Sequence, residues 1–101
     1  MNPIFSFTSE LWLWDAKSDS TWIFVSLPLD ESEEIKDLIP HRAGFGSVKV
    51  QVRIGDIEWK TSIFPDSKSG CYVLPLKKAV RNKAKIDVGD TAKFELEVLI
   101  T

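Results

Sequence analysis

Residues 48–54 read Val-Lys-Val-Gln-Val-Arg-Ile, apolar and polar in strict alternation. A period of two sends successive side chains to opposite faces, so this run predicts a strand with one buried and one wet face. Gly55-Asp56 follows as a tight turn, because glycine tolerates positive φ. Ile57, Trp59, Thr61 and Ile63 then alternate with Glu58, Lys60, Ser62 and Phe64, which makes the second arm of a hairpin. Phe94, Leu96, Val98 and Ile100 alternate with Lys93, Glu95 and Glu97 in a last strand, entered through Gly89-Asp90. Near the start, Phe5, Phe7, Leu11 and Leu13 share one face, and Trp12 and Trp14 share the other. After the polar cluster Lys17-Ser18-Asp19-Ser20, the segment Trp22–Leu27 is almost continuously apolar, which predicts a strand covered on both faces. A further short strand begins at Cys71, beyond the Pro65-Asp66 turn and the polar tip Ser67-Lys68-Ser69.

Two stretches have helical spacing instead. Asp30 is placed to cap a helix over Glu31–Leu38, with Glu33 completing a capping box and Pro40 ending it. A second helix follows Pro75 and covers Leu76 to about Asn82, burying Leu76, Ala79 and Val80. Continued helically, it would align Lys77, Arg81 and Lys85 on one exposed edge. About six strands and two short helices make the chain mainly β. A small barrel is the expected architecture, since closure removes exposed strand edges. The predicted core is Phe24, Val50, Val52, Phe94, Leu96 and Val98.

At 101 residues, with 44% hydrophobic and 28% charged, residues 1–101 form one domain of ordinary globular composition. A net charge of −2 argues against long-range attraction to nucleic acid or anionic lipid. No run approaches the ~20 apolar residues that span a bilayer, and no basic-apolar leader opens the chain. One cysteine allows no internal disulfide, so a reducing cytoplasm is the expected compartment. Charge is uneven: residues 1–76 carry 11 acids and 7 bases, whereas residues 77–85 carry Lys77, Lys78, Arg81, Lys83 and Lys85 without an acid. The tail, 86–101, holds 4 acids and one lysine.

Nothing in the chain forms a catalytic constellation. His41, the single histidine, lies in a loop after Pro40 with no nucleophile signature and reads as a surface residue. Cys71 reads as a small buried hydrophobe. One histidine and one cysteine give no metal-ligand spacing, so neither metal nor cofactor is expected. Asp87 and Asp90 flank Gly89, where aspartate serves the turn backbone. Gly44-Phe45-Gly46 lacks the Lys-Ser/Thr ending of a phosphate loop and the full dinucleotide fingerprint.

A binding role is therefore the leading expectation. Its candidate site combines Arg53, Trp59, Thr61, Phe64, Asp66, Lys68, Tyr72, Lys77 and Arg81, with the cations recognising an anionic group on a small ligand or a protein partner. Trp59 would have to face Arg81, although its phase with Ile57 and Ile63 puts it in the core. Nucleic-acid binding through residues 77–85 is the alternative, and a small hydrolase or isomerase ranks third. Trp12 and Trp14 would leave two indoles exposed unless the second helix or a homodimer covers them.

The blocks ELWLW (10–14), WIFVSLP (22–28), SEEI (32–35), GFGSVKVQVRIG (44–55), WKTSIFPDSKSGCYVLPLKKAVR (59–81) and VGD (88–90) carry a likeness to a known family. In these stretches, and in their order, the chain resembles the bacterial proteins grouped as domain of unknown function 1905. The resemblance implies a double-split β-barrel, a class that also includes swapped-hairpin transcription factors and antitoxins. It implies no activity. Some relatives carry a helical segment after the barrel, and none is expected here, where the sequence closes on the last strand at Thr101.

Overall fold

The computed structural model describes residues 2–15, 21–39 and 46–100. In chain order the elements are β1 (Ile4–Glu10), β2 (Trp12–Asp15), β3 (Thr21–Ser26), α1 (Leu29–Leu38), β4 (Val48–Ile54), β5 (Ile57–Pro65), β6 (Tyr72–Pro75), α2 (Lys78–Ala84) and β7 (Thr91–Val98). The sheet runs β1-β7-β4-β5-β6-β3-β2, antiparallel at every pairing.

Seven strands stand among the described residues where about six were expected, because the N-terminal strand divides at Leu11. Its first part pairs with β7 and its second with β3. Between the two ladders the Leu11 N–H donates to Asp90 O at 2.9 Å, and Leu11 O accepts from Gly89 N at 3.0 Å. The 89–90 turn thus satisfies the backbone where the strand changes partner. Gly89 adopts φ 91°, which an L side chain rarely takes. β1 and β2 are the two ends of the sheet, yet they are consecutive in the chain. The Ser9 hydroxyl donates to Ser26 O at 2.8 Å, bringing β1 against β3, so the sheet curls into a half-barrel.

The concave face holds the core. Phe5, Phe7, Leu11, Val25, Val50, Val52, Ile63, Leu74, Phe94, Leu96 and Val98 are buried there, and Phe7 stacks on Phe94 at 5.4 Å. Of the predicted core, Phe24 is only half-buried, since its register with Trp12 puts it on the convex face. Leu13 is 48% exposed because β2 is an end strand with no neighbour beyond it. β3 is covered on one face only: Ile23, Val25 and Leu27 are buried, while Trp22 is 49% exposed. Ile100 lies past the end of β7 and is exposed.

Both helices depart from their expected caps. α1 starts at Leu29 with Pro28 as N-cap and no side-chain cap bond, so the Asp30–Glu33 capping box does not form. Proline presets a helix-entry φ, here −58°, two residues earlier. Ser32 is buried instead and joins α1 to the sheet, its Oγ accepting from Tyr72 N at 3.0 Å. α2 starts at Lys78 with Lys77 as N-cap and stops at Lys85, which is left-handed at φ 58°. That turn removes Lys85 from the helical edge expected to carry Lys77, Arg81 and Lys85. Val80 is half-buried, but Ala79 is exposed, since the short helix buries Leu76 just before its first turn. Cys71 is half-buried rather than buried. His41, Pro40, Gly44 and the Lys17–Ser20 cluster lie outside the described residues.

Candidate functional site

The β4–β5 hairpin turns through Gly55 at φ 56°, pairing Ile54 with Ile57. This register sets Lys49 opposite Ser62 and Gln51 opposite Lys60, so both lysines project from the convex face. The chain then passes through β6 and the Pro75-Leu76-Lys77 link into α2, which leans against β5. Between helix and hairpin lies a groove of about 910 Å³. Lys49, Lys60, Thr61, Ser62 and Phe64 form one wall, and Lys77, Lys78 and Arg81 form the other. Trp22, Ile23, Pro75, Leu76 and Leu99 supply an apolar lining.

Five cations and no carboxylate line this groove among the described residues. Among the described residues Arg81 alone of the five is engaged in an ion pair. Its Nη1 donates to Asp87 Oδ1 at 3.1 Å, and its Nε donates to Leu76 O at 3.1 Å. Asp87 is therefore the acid that pairs with this basic edge. Its carboxyl is held below the ordinary aspartate value, chiefly by the Val88 N–H and then by Arg81. The site's cations gather where an anion with an apolar body would meet both walls and the floor.

Four of the nine residues expected in the site meet here: Thr61, Phe64, Lys77 and Arg81. Arg53 does not. It is paired across the ladder with Glu58 and Glu95, and Glu58 foremost raises its pKa further. Trp59 sits opposite Val52 and packs against the core, away from Arg81. Tyr72 is fully buried. Lys68 is exposed on the 66–70 loop, and Asp66 opens onto a different hollow. Sequence reasoning missed Lys49, Lys78 and Trp22 and left Lys60 out of the site. The two-residue turn at Gly55-Asp56 already implied the Lys49–Ser62 register, so that part of the signal was present. The docking of α2 against the hairpin had no sequence signature.

No cluster of histidine, cysteine and carboxylates able to hold a metal occurs among the described residues. No helix among them is long and apolar enough to cross a membrane. The model of a family described only as a domain of unknown function matches residues 7–96. No curated protein matches the chain.

Proposed function

The chain belongs to the domain of unknown function 1905 family, a membership that assigns no activity, and we propose that it is a non-enzymatic binding module for an anionic ligand with an apolar body. The observation that carries this reading is the groove with five cations, no carboxylate and an apolar floor. Unbalanced positive charge in a partly enclosed site focuses the field and raises the local concentration of anions. Lys49, Lys60, Lys77 and Lys78 have no ion-pair partner among the described residues, so each can meet a ligand oxygen without first breaking a bond. Arg81 orients the far wall through its bond to Leu76 O. Trp22 and Phe64, both partly exposed, would cover the ligand's flat or aliphatic portion.

Two further parts of the reading rest on the same chain. The consecutive end strands, and β5 shared between β4 and β6, support classing the half-barrel as a double-split barrel. The lone free cysteine supports a reducing, cytoplasmic setting.

The test compares sulfate and phenyl phosphate with chloride at matched ionic strength, reading thermal stability and Trp22 emission. Wild type should gain stability from phenyl phosphate beyond chloride, and a Lys60→Ala/Lys77→Ala variant should lose that gain. Equal responses of both proteins to all three salts would overturn the reading. A labelled duplex titrated in parallel reports the nucleic-acid alternative. Affinity that falls steeply as salt rises, with no response to phenyl phosphate, would favour it instead.

A further inference from the structure

A second hollow, of about 200 Å³, lies on the same convex face but is lined by different residues. In the order β5-β6-β3-β2, the middle strands make its floor with Val73 and Phe24. The flanking strands make its walls: Trp12 and Trp14 on β2, Pro65 and Asp66 at the end of β5. This face of β3 is the one expected to be covered and found open, and Trp14 is 49% exposed.

The walls are held in place. Trp12 Nε1 donates to Ser26 Oγ at 3.0 Å, and the Trp12 and Phe24 rings lie 5.3 Å apart, inclined by 35°. Asp66 Oδ2 accepts from Ser69 Oγ at 2.9 Å, and Oδ1 accepts from Lys68 N at 3.3 Å. No lysine or arginine lines the hollow among the described residues. Aromatic faces carry the negative part of the ring quadrupole, so the rings and the carboxylate attract positive charge together. An anion would be repelled by Asp66, and a neutral apolar group would leave that carboxylate without a counter-charge. A bare ammonium is strongly hydrated, whereas a methylated one presents an apolar skin that suits indole and phenyl surfaces. The volume falls below the ~300–1,000 Å³ of sites that enclose a drug-sized ligand, so it suits a head group.

We propose that this hollow is a binding site for a methylated ammonium group, separate from the cationic groove and independent of its ligand. Trp12, Trp14 and Phe24 supply the ring surfaces, and Asp66 supplies the counter-charge.

The experiment titrates the protein with choline and, in parallel, with its uncharged tert-butyl isostere, following the indole N–H resonances of Trp12 and Trp14. Choline should shift both resonances saturably, and the isostere should bind about 2- to 30-fold more weakly. Asp66→Asn, which keeps one acceptor oxygen for the Lys68 N–H, and Trp14→Ala, at a half-exposed position, should each weaken choline while their melting curves stay cooperative. A trimethyllysine peptide run alongside separates the sources of the group. Tighter binding than choline assigns the site to a protein side chain, and equal or weaker binding assigns it to a free amine. Equal affinity for choline and the isostere, no saturable shift, or full choline binding by Asp66→Asn would overturn the proposal.

Discussion

Replacing Arg81 by glutamine separates what this side chain does for the fold from what it does for the groove. Its side chain is only 15% exposed, whereas that of Asp87 is 71% exposed. The Asp87 half of the interaction is therefore screened by solvent and contributes little to stability. The Leu76 half is different: a charged donor meets a backbone carbonyl beside the buried Leu76 side chain at 3.1 Å. Hydrogen bonds to charged groups contribute about 1.5–3 kcal/mol, and partial solvent access places this one near about 1.5 kcal/mol. In a domain of this size each kcal/mol moves the melting temperature by about 4–8 °C, so Arg81→Gln should melt roughly 6–12 °C below wild type. Circular-dichroism melts of wild type, Arg81→Gln, Arg81→Lys and Asp87→Asn give the comparison. Arg81→Lys should fall between wild type and Arg81→Gln, because an ammonium lacks the guanidinium fork that meets both acceptors. Asp87→Asn should lose far less than Arg81→Gln. An Arg81→Gln protein melting within about 2 °C of wild type, or an Asp87→Asn loss of equal size, would refute the assignment to Leu76 O.

Three other expectations follow from the same geometry. Val52→Asp should abolish the cooperative melt, because Val52 is fully buried and an unpaired buried charge costs several kcal/mol, comparable with the whole stability of a small domain; a wild-type melt would show the β4 phase to be misread. Ser32→Ala should lower stability by about 1–3 kcal/mol in urea titrations, since the buried Tyr72 N–H loses this acceptor; a change below about 0.5 kcal/mol would mean a replacement acceptor forms. The Asp87 carboxyl pKa is depressed by Val88 N–H and Arg81, so its stabilising contribution is complete above the unfolded aspartate value of ~3.9 and is lost as pH falls through the lower folded value. The carboxyl resonance of Asp87 should accordingly titrate below that reference, and a midpoint at or above it would contradict the hydrogen bonding seen.

Strand identity was legible wherever one face is wet and the other dry. Val48–Ile54, Ile57–Phe64 and Phe94–Val98 alternate because each pays out one side chain to the core and one to water, and their pairing follows from the Gly55 turn. Segments near the ends of the sheet were harder to read. Leu13 and Trp22 are apolar but half exposed, since apolar character alone does not say whether a neighbouring strand arrives to cover a residue. The helix caps were misjudged because Pro28 and the left-handed Lys85 reset each boundary by local backbone geometry. For the site, Lys77, Arg81 and Phe64 could be found from the basic run and the loop before Pro65. Arg53 could not be excluded without knowing that it is spent on Glu58 and Glu95, whereas the phase of Trp59 with Ile57 and Ile63 already pointed to the core, where it packs. Trp22 belongs to the groove only through tertiary packing, which no local pattern encodes.

The division of the N-terminal strand at Leu11 also sets a timetable. β2 finds its partner β3 within a few residues, but Glu10 of β1 pairs with Thr91, 81 positions later. At a synthesis rate of ~5–20 residues per second, β1 waits roughly 4–16 s on the ribosome after its emergence before β7 has been made. Throughout that interval Phe5 and Phe7 lack Phe94 and Leu96, and the sheet's far end is ready while its near end is not. Leu11 is thus the boundary between an early and a late half of the same strand. Nascent chains stalled before residue 91 should be cut by protease within residues 4–10, whereas chains extended past residue 98 and clear of the exit tunnel should resist cleavage there.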